Sequence, residues 1–117
     1  MDSYKLVDKI VHILDKKKAT AVKALKIDEL TVIADYFIIA TGTSGTHVRS
    51  LSEDVEDEIA KELSIEPMSI EGKATGWILM DYGDVVLHIF TPESRSYYDL
   101  ERLWSDAREI DFDDIDG

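Results

Sequence analysis

Residues 34–40, ADYFIIA, form an almost unbroken run of apolar, aromatic and β-branched side chains, and the turn Gly42-Thr43-Ser44-Gly45-Thr46 follows close behind. Seven residues are too few for a helix, so the run predicts a central strand buried on both faces. Such a strand needs neighbours at both edges and a covering layer on each side. The chain must supply them within 117 residues, the length of one domain. A chain of this size buries roughly two thirds of its unfolded surface, enough for one modest core. With no cysteines, disulfides, thiolate metal sites and a Cys nucleophile are all excluded.

The covering layers are visible in the periodicity. From Asp2 to Lys18, Tyr4, Val7, Val11 and Leu14 recur at helical spacing beside Leu6, Ile10 and Ile13. Lys16, Lys17 and Lys18 suit the negative end of that helix better than they suggest an RNA-binding patch. Ala21–Ile27 reads as a strand wet on one face, and Glu29–Thr31 as a turn. After the Gly-rich turn, Val48, Leu51, Val55, Ile59 and Leu63 face inward on a long helix with an acidic, solvated outer face. Met68–Glu71 predicts a short strand. Trp77–Asp81 and Val85–Phe90 flank Tyr82-Gly83 as a hairpin. A last helix is expected over Ser94–Arg108, with Tyr97, Leu100, Trp104 and Ala107 near one face, and then a frayed acidic tail over Asp111–Gly117. The fold class is α/β: a small mixed β-sheet covered by helices, with one domain over residues 1–110. The strand at 34–40 is expected to pair across a right-handed crossover with the strand after the long helix.

Charge narrows the partners. The formal net charge is −12. Seven lysines against three aspartates put +4 on residues 1–26, which leaves −16 on the other 91. Such a body repels phosphate backbones and anionic membrane surfaces and attracts a basic protein. The first ten residues mix acids and lysines with apolar residues, unlike a signal peptide, and no apolar run is long enough to span a membrane. The expected compartment is the cytoplasm.

Candidate chemistry is sparse. A Gly-rich turn entering a helix can hold phosphate, but Val48 stands where a Walker A lysine would be, and Thr43 or Ser44 serves equally well as a helix cap. Asp35, Asp81 and Asp84 suggest a nucleotidyltransferase-type magnesium site. Those enzymes place two acids two residues apart on one strand, whereas Asp81 and Asp84 are three apart across a turn. His12, His47 and His88 are not at ligand spacing. His12 is expected on the exposed side of its helix and His88 as a satisfied sheet residue. No catalytic residue, metal or cofactor is assigned.

The aromatics carry more. Trp77, Tyr82, Phe90, Tyr97, Tyr98 and Trp104 fall within 28 residues. Strand alternation places Trp77, Leu79 and Asp81 on one face and Ile78, Met80 and Tyr82 on the other. If the face of Ile78 and Met80 is the core, Trp77 and Leu79 are offered to something else; the alternative is that these rings simply fill a small core. Exposed Trp and Tyr beside Arg95 have the composition of an interface hot spot; Trp104 is assigned to the core.

These residues lie in stretches that resemble a known family. ADYFIIATGTSGTHV at 34–48, GWILMDYGDVVLHIF at 76–90 and ESRSYYDLERLWSDA at 93–107 are similar to the ribosomal silencing factors, the Iojap or RsfS family, and cover 45 residues. The resemblance implies a nucleotidyltransferase-like α/β fold without the enzyme's carboxylate pair, and no enzymatic activity. It implies binding to the large ribosomal subunit through a ribosomal protein at the subunit interface. Joining of the small subunit is then blocked and translation repressed, typically when nutrients run short; homodimers are common. The implied contacts fall on Gly76–Asp84 and Glu93–Tyr98: Trp77, Leu79, Asp81, Tyr82, Arg95, Tyr97 and Tyr98. A basic ribosomal protein suits the acidic body, with little direct nucleic-acid contact. The competing readings are an active nucleotidyltransferase using Gly42, Ser44, Asp81 and Asp84, and a dimeric scaffold whose aromatic patch is its own interface.

Overall fold

The structure, a computed structural model, describes residues 3–72 and 76–112. Its elements run α1 (Ser3–Lys16), β1 (Thr20–Lys26), β2 (Tyr36–Thr41), α2 (Gly45–Leu63), β3 (Ser69–Glu71), β4 (Trp77–Asp81), β5 (Val85–Phe90), α3 (Pro92–Tyr98), α4 (Leu100–Leu103) and β6 (Arg108–Ile110). The strands make one six-stranded sheet in the order β3-β4-β5-β2-β1-β6. Neighbours are antiparallel except β2 and β5, which run parallel with Tyr36 opposite Val85 and Thr41 opposite Phe90.

The run 34–40 does lie at the centre. From Phe37 to Thr41 every residue of β2 is buried, and all of β5 beside it is buried too. The main core fills the space between one sheet face and the helices α1 and α2. Ile38, Ile78, Met80, Leu87 and Ile89 come from the sheet, Ile10 and Leu14 from α1, and Val48, Val55 and Ile59 from α2. Each such side chain, fully withdrawn from water, contributes about 1.5–3 kcal/mol. The opposite face carries a second, smaller cluster of Leu25, Ile27, Ala34, Phe37, Ile39, Val86 and Phe90. Half-buried Trp77, Leu79, Leu100, Trp104 and Ala107 close it.

The Gly-rich turn is helix-capping chemistry. Ser44 is the N-cap of α2 and its Oγ accepts from the backbone N–H of His47 at 3.2 Å. His47 Nδ1 accepts from Thr43 N at 2.9 Å, so its Nε2 carries the proton and donates to the Lys17 carbonyl at 3.0 Å. The start of α2 is thereby tied to the end of α1. Glycine is needed at position 42, where a Cβ would lie 2.9 Å from Val48 Cγ2 and 3.0 Å from Val48 N.

Several expectations are corrected. The final helix is two short helices, because Asp99 turns left-handed (φ 47°) and breaks it. Its start lies earlier, at Thr91, whose Oγ1 accepts from Ser94 N at 3.3 Å, with Pro92 in the first turn. The chain then returns as β6 beside β1. β1 is therefore interior to the sheet. Its centre is buried on both sides, Ala24 in the main core and Leu25 in the second cluster, and its lysines reach out to Glu101 and Asp28. The strand that returns parallel to β2 is β5, two strands later than the first one after α2. Of the segment expected to fray, Phe112 packs on Tyr4 and on the edge of His12, with ring centroids 6.1 Å away in both cases. His12, set against Phe112, is half-buried, and it pairs with Asp8 at 3.3 Å. Residues 113–117 lie outside the described residues.

Candidate functional site: an aromatic groove on the thinly covered face

Strand alternation along β4 sets the site. Ile78 and Met80 point into the main core, fully buried, while Trp77, Leu79 and Asp81 face the other way and stay partly accessible. Across the hairpin Trp77 pairs with Phe90 and Leu79 with His88. The indole of Trp77 stacks on Phe90, centroids 5.1 Å apart, and tilts against Tyr98 at 4.7 Å. Tyr98 meets Tyr97 edge-on at 5.0 Å. Trp77, Leu79 and Tyr98, with Glu71, Gly72, Gly76 and Ser94, line an open groove of about 390 Å³.

Hairpin and α3 are locked together at one end. Thr91 N donates to the Gly76 carbonyl at 2.9 Å. A Cβ at position 76 would collide with the Thr91 and Ser94 hydroxyls, so the close approach of strand to helix needs glycine. At the other end, Asp81 Oδ1 accepts from Gly83 N at 2.7 Å, and Gly83 takes φ +90°. The Asp84 carbonyl accepts from Asp35 N at 2.8 Å and Tyr36 N at 3.1 Å, pinning the turn to β2. Asp81 and Asp84 are thus turn and anchoring residues. Among the described residues no group of three or more His, Asp or Glu side chains gathers as a metal site.

The contact residues expected from the sequence divide. Trp77, Leu79 and Tyr98 come together at the groove, and Tyr97 continues the surface at 82% exposure. Asp81 lies on the same strand face, at the turn. Tyr82 is on the opposite face, buried in the main core. Burial, and secondarily the Glu56 carboxylate, raise its phenol above the usual pKa, and its hydroxyl has no partner among the described residues. Arg95 is turned inward. Its Nη1 donates to the Ala21 carbonyl at 2.6 Å and to Thr41 Oγ1 at 2.8 Å, and its Nε to Glu101 at 2.8 Å. Ala21 sits at positive φ where β1 slips register, so Arg95 satisfies an irregular strand and clamps α3 to it. Lys23 joins at 3.0 Å from Glu101. The Arg95 hydrogen bond is the largest cause that holds the Glu101 carboxyl down to about 2.

His88 is the residue the sequence reading placed too simply. It is 3% exposed; its Nδ1 accepts from Trp77 Nε1 at 3.1 Å, while its Nε2 has no partner among the described residues. Burial pushes its pKa down to about 4. The alternation of β5 puts His88 on the face of Trp77, and that was the available signal. Trp104 meets Phe37 edge-on at 5.1 Å and is half-buried, a lid on the second cluster rather than part of the main core.

The molecule is thus a one-sheet α/β domain with an aromatic groove on its less covered face. The family model for the ribosomal silencing factor during starvation matches residues 1–117. The ribosomal silencing factor of Halalkalibacterium halodurans is 36% identical over 116 residues, 98% of each chain. A crystal structure of a Chromobacterium violaceum protein superposes with a TM-score of 0.85 at 31% identity, covering 97% of this chain and 93% of that one. A mouse relative named for mitochondrial assembly of the ribosomal large subunit is 31% identical over 103 residues, 85% of this chain and 45% of its own. The chain belongs to the ribosomal silencing factor family.

Proposed function

We propose that this protein represses translation by occupying the large ribosomal subunit, docking through the groove face on a basic ribosomal protein at the subunit interface and so blocking the small subunit. The observation that carries this reading is the cluster of Trp77, Leu79, Tyr98 and Tyr97, partly exposed on an acidic domain and held rigidly by the Gly76–Thr91 lock. A half-buried Trp continued by exposed Tyr side chains, with a charged surround, has the composition of a protein–protein hot spot. Glu71 in the groove wall and Asp81 beside it favour a cationic partner, and the net −12 disfavours bare RNA. The mouse relative's name points to the large subunit. Steric exclusion needs no catalysis; the Asp81 carboxylate is engaged by Gly83 N in the turn, and the Asp84 main-chain carbonyl anchors the turn to β2. On this reading the protein acts in the cytoplasm, and a second copy of the chain competes for the same aromatic face if the protein dimerises through it.

Sedimentation of the purified protein with separated subunits tests the reading. Comigration with large subunits alone, lost in Trp77→Ala, is the expected result. Comigration with small subunits, or none, refutes it.

A further inference from the structure

We propose that His88 is a positioning residue for the docking face, its Nδ1 selecting the orientation in which the Trp77 indole lines the groove. This rests on the docking reading above. The stacking contacts of Trp77 with Phe90 and Tyr98 restrain the tilt of the ring but have little preference for which edge points inward. The 3.1 Å bond from Trp77 Nε1 to His88 Nδ1 is directional and selects one flip of the indole. His88 lies diagonally across the hairpin from Trp77, two residue pairs along the ladder from the Trp77–Phe90 pair, so both side chains share a face.

The protonation state follows from the geometry. Because the indole N–H is a donor only, Nδ1 must be bare, and the proton of the neutral ring sits on Nε2. That N–H is buried and has no acceptor among the described residues. A buried donor without a partner destabilises the fold, and phenylalanine would fill nearly the same space without it. Aromatic neighbours already surround the site: Phe37 meets the imidazole edge-on at 4.9 Å, and Phe90 lies parallel at 6.3 Å. Packing alone therefore does not call for an imidazole. What the imidazole adds at this position is the acceptor that fixes Trp77.

The test separates the hydrogen bond from the fold. In 15N-labelled protein, the Trp77 indole N–H resonance is assigned by its loss in Trp77→Phe, then compared in His88→Phe. His88→Phe should move that resonance and speed its exchange with solvent while circular dichroism is unchanged. Its affinity for purified large subunits should fall roughly two- to tenfold, the cost of ordering one freed side chain on docking. His88→Asn, which keeps an amide near the Nδ1 position, should bind better than His88→Gln, whose amide reaches the Nε2 position; this pair decides the matter if His88→Phe does not fold. An unmoved indole resonance in His88→Phe, or equal binding by His88→Asn and His88→Gln, overturns the proposal. Full binding by His88→Phe alongside a defect in Trp77→Ala overturns it while leaving the docking reading intact. Full binding by Trp77→Ala overturns both.

Discussion

The two faces of the sheet are built to different standards. One is sealed by α1 and α2, with 14 and 19 residues, and its interior includes Val7, Ile10, Leu14, Val55, Ile59 and Leu87, all at 0% exposure. The other is covered by α3 and α4, with seven and four residues and no buried residue in either. Its outer layer is aromatic and half-accessible. The first face stabilises the molecule, and the second, leaner in apolar burial, leaves side chains available to a partner. Difference in cover, rather than a catalytic constellation, is what directs the proposed docking to this side.

Substitutions should separate the faces. The largest loss of stability is expected from Leu87→Ala in the main core, about 2–5 kcal/mol by denaturant unfolding. Trp77→Ala should reverse the pattern. Its half-buried ring should cost less stability than Leu87→Ala, yet cost more than tenfold in large-subunit affinity, or ~2 kcal/mol. If Trp77→Ala proves the more destabilising of the two, the faces do not differ as described. Between them in breadth lies the acid response of the second face. The folded pKa of His88, about 4, is below the unfolded value of 6.5, so the folded state binds the proton less readily. Its contribution is complete above pH 6.5 and is lost as pH falls toward 4, on the order of 3 kcal/mol in all. Glu101, held to about 2 from 4.5, adds stability above pH 4.5 that is lost as pH falls further toward 2. In urea titrations across this range, His88→Phe should flatten the upper limb, and Arg95→Ala the lower.

Smaller effects test the margins. Ending the chain after Phe112 should leave the melting temperature unchanged, whereas ending it after Ile110 should lower stability by about 1 kcal/mol, because Phe112 packs on Tyr4 and His12. Tyr97→Ala, at 82% exposure, should change stability by less than about 0.5 kcal/mol while weakening binding. A stability loss comparable to that of Trp77→Ala would show that Tyr97 is part of the second cluster.

Much of this was legible in residue periodicity. The alternation Trp77-Ile78-Leu79-Met80-Asp81 told which face the hairpin buries, and Ser44 or Thr43 was readable as a cap. The break at Asp99 was not, because the period of Tyr97, Leu100 and Trp104 continues across it, although aspartate is a residue that tolerates the left-handed turn. The start of α3 had a local signal in Thr91-Pro92 that outranks the later Ser94. β6 left only the pair Ile110 and Phe112, too short an alternation to stand alone. Site roles divided for a similar reason. Trp77 and Tyr98 follow from strand and helix geometry, but the inward turn of Arg95 depends on the bulge at Ala21, 74 residues away in sequence. Nothing local distinguishes an arginine waiting for a partner from one already satisfied.

The parallel pairing of β2 with β5 also bears on how the molecule is made. Tyr36 meets Val85 across 49 positions of chain, so the centre of the sheet closes only after α2, β3 and β4 have been synthesised. Until then α1, β1 and β2 have one half of the core and neither complete face, and the apolar run at Phe37–Ala40 has an open edge. Contacts this distant in sequence slow the search for the native state and lengthen exposure to misassembly. Nascent chains halted short of Phe90 should therefore remain protease-sensitive and prone to aggregate, and a marked gain in protection should come as the β4–β5 hairpin is released.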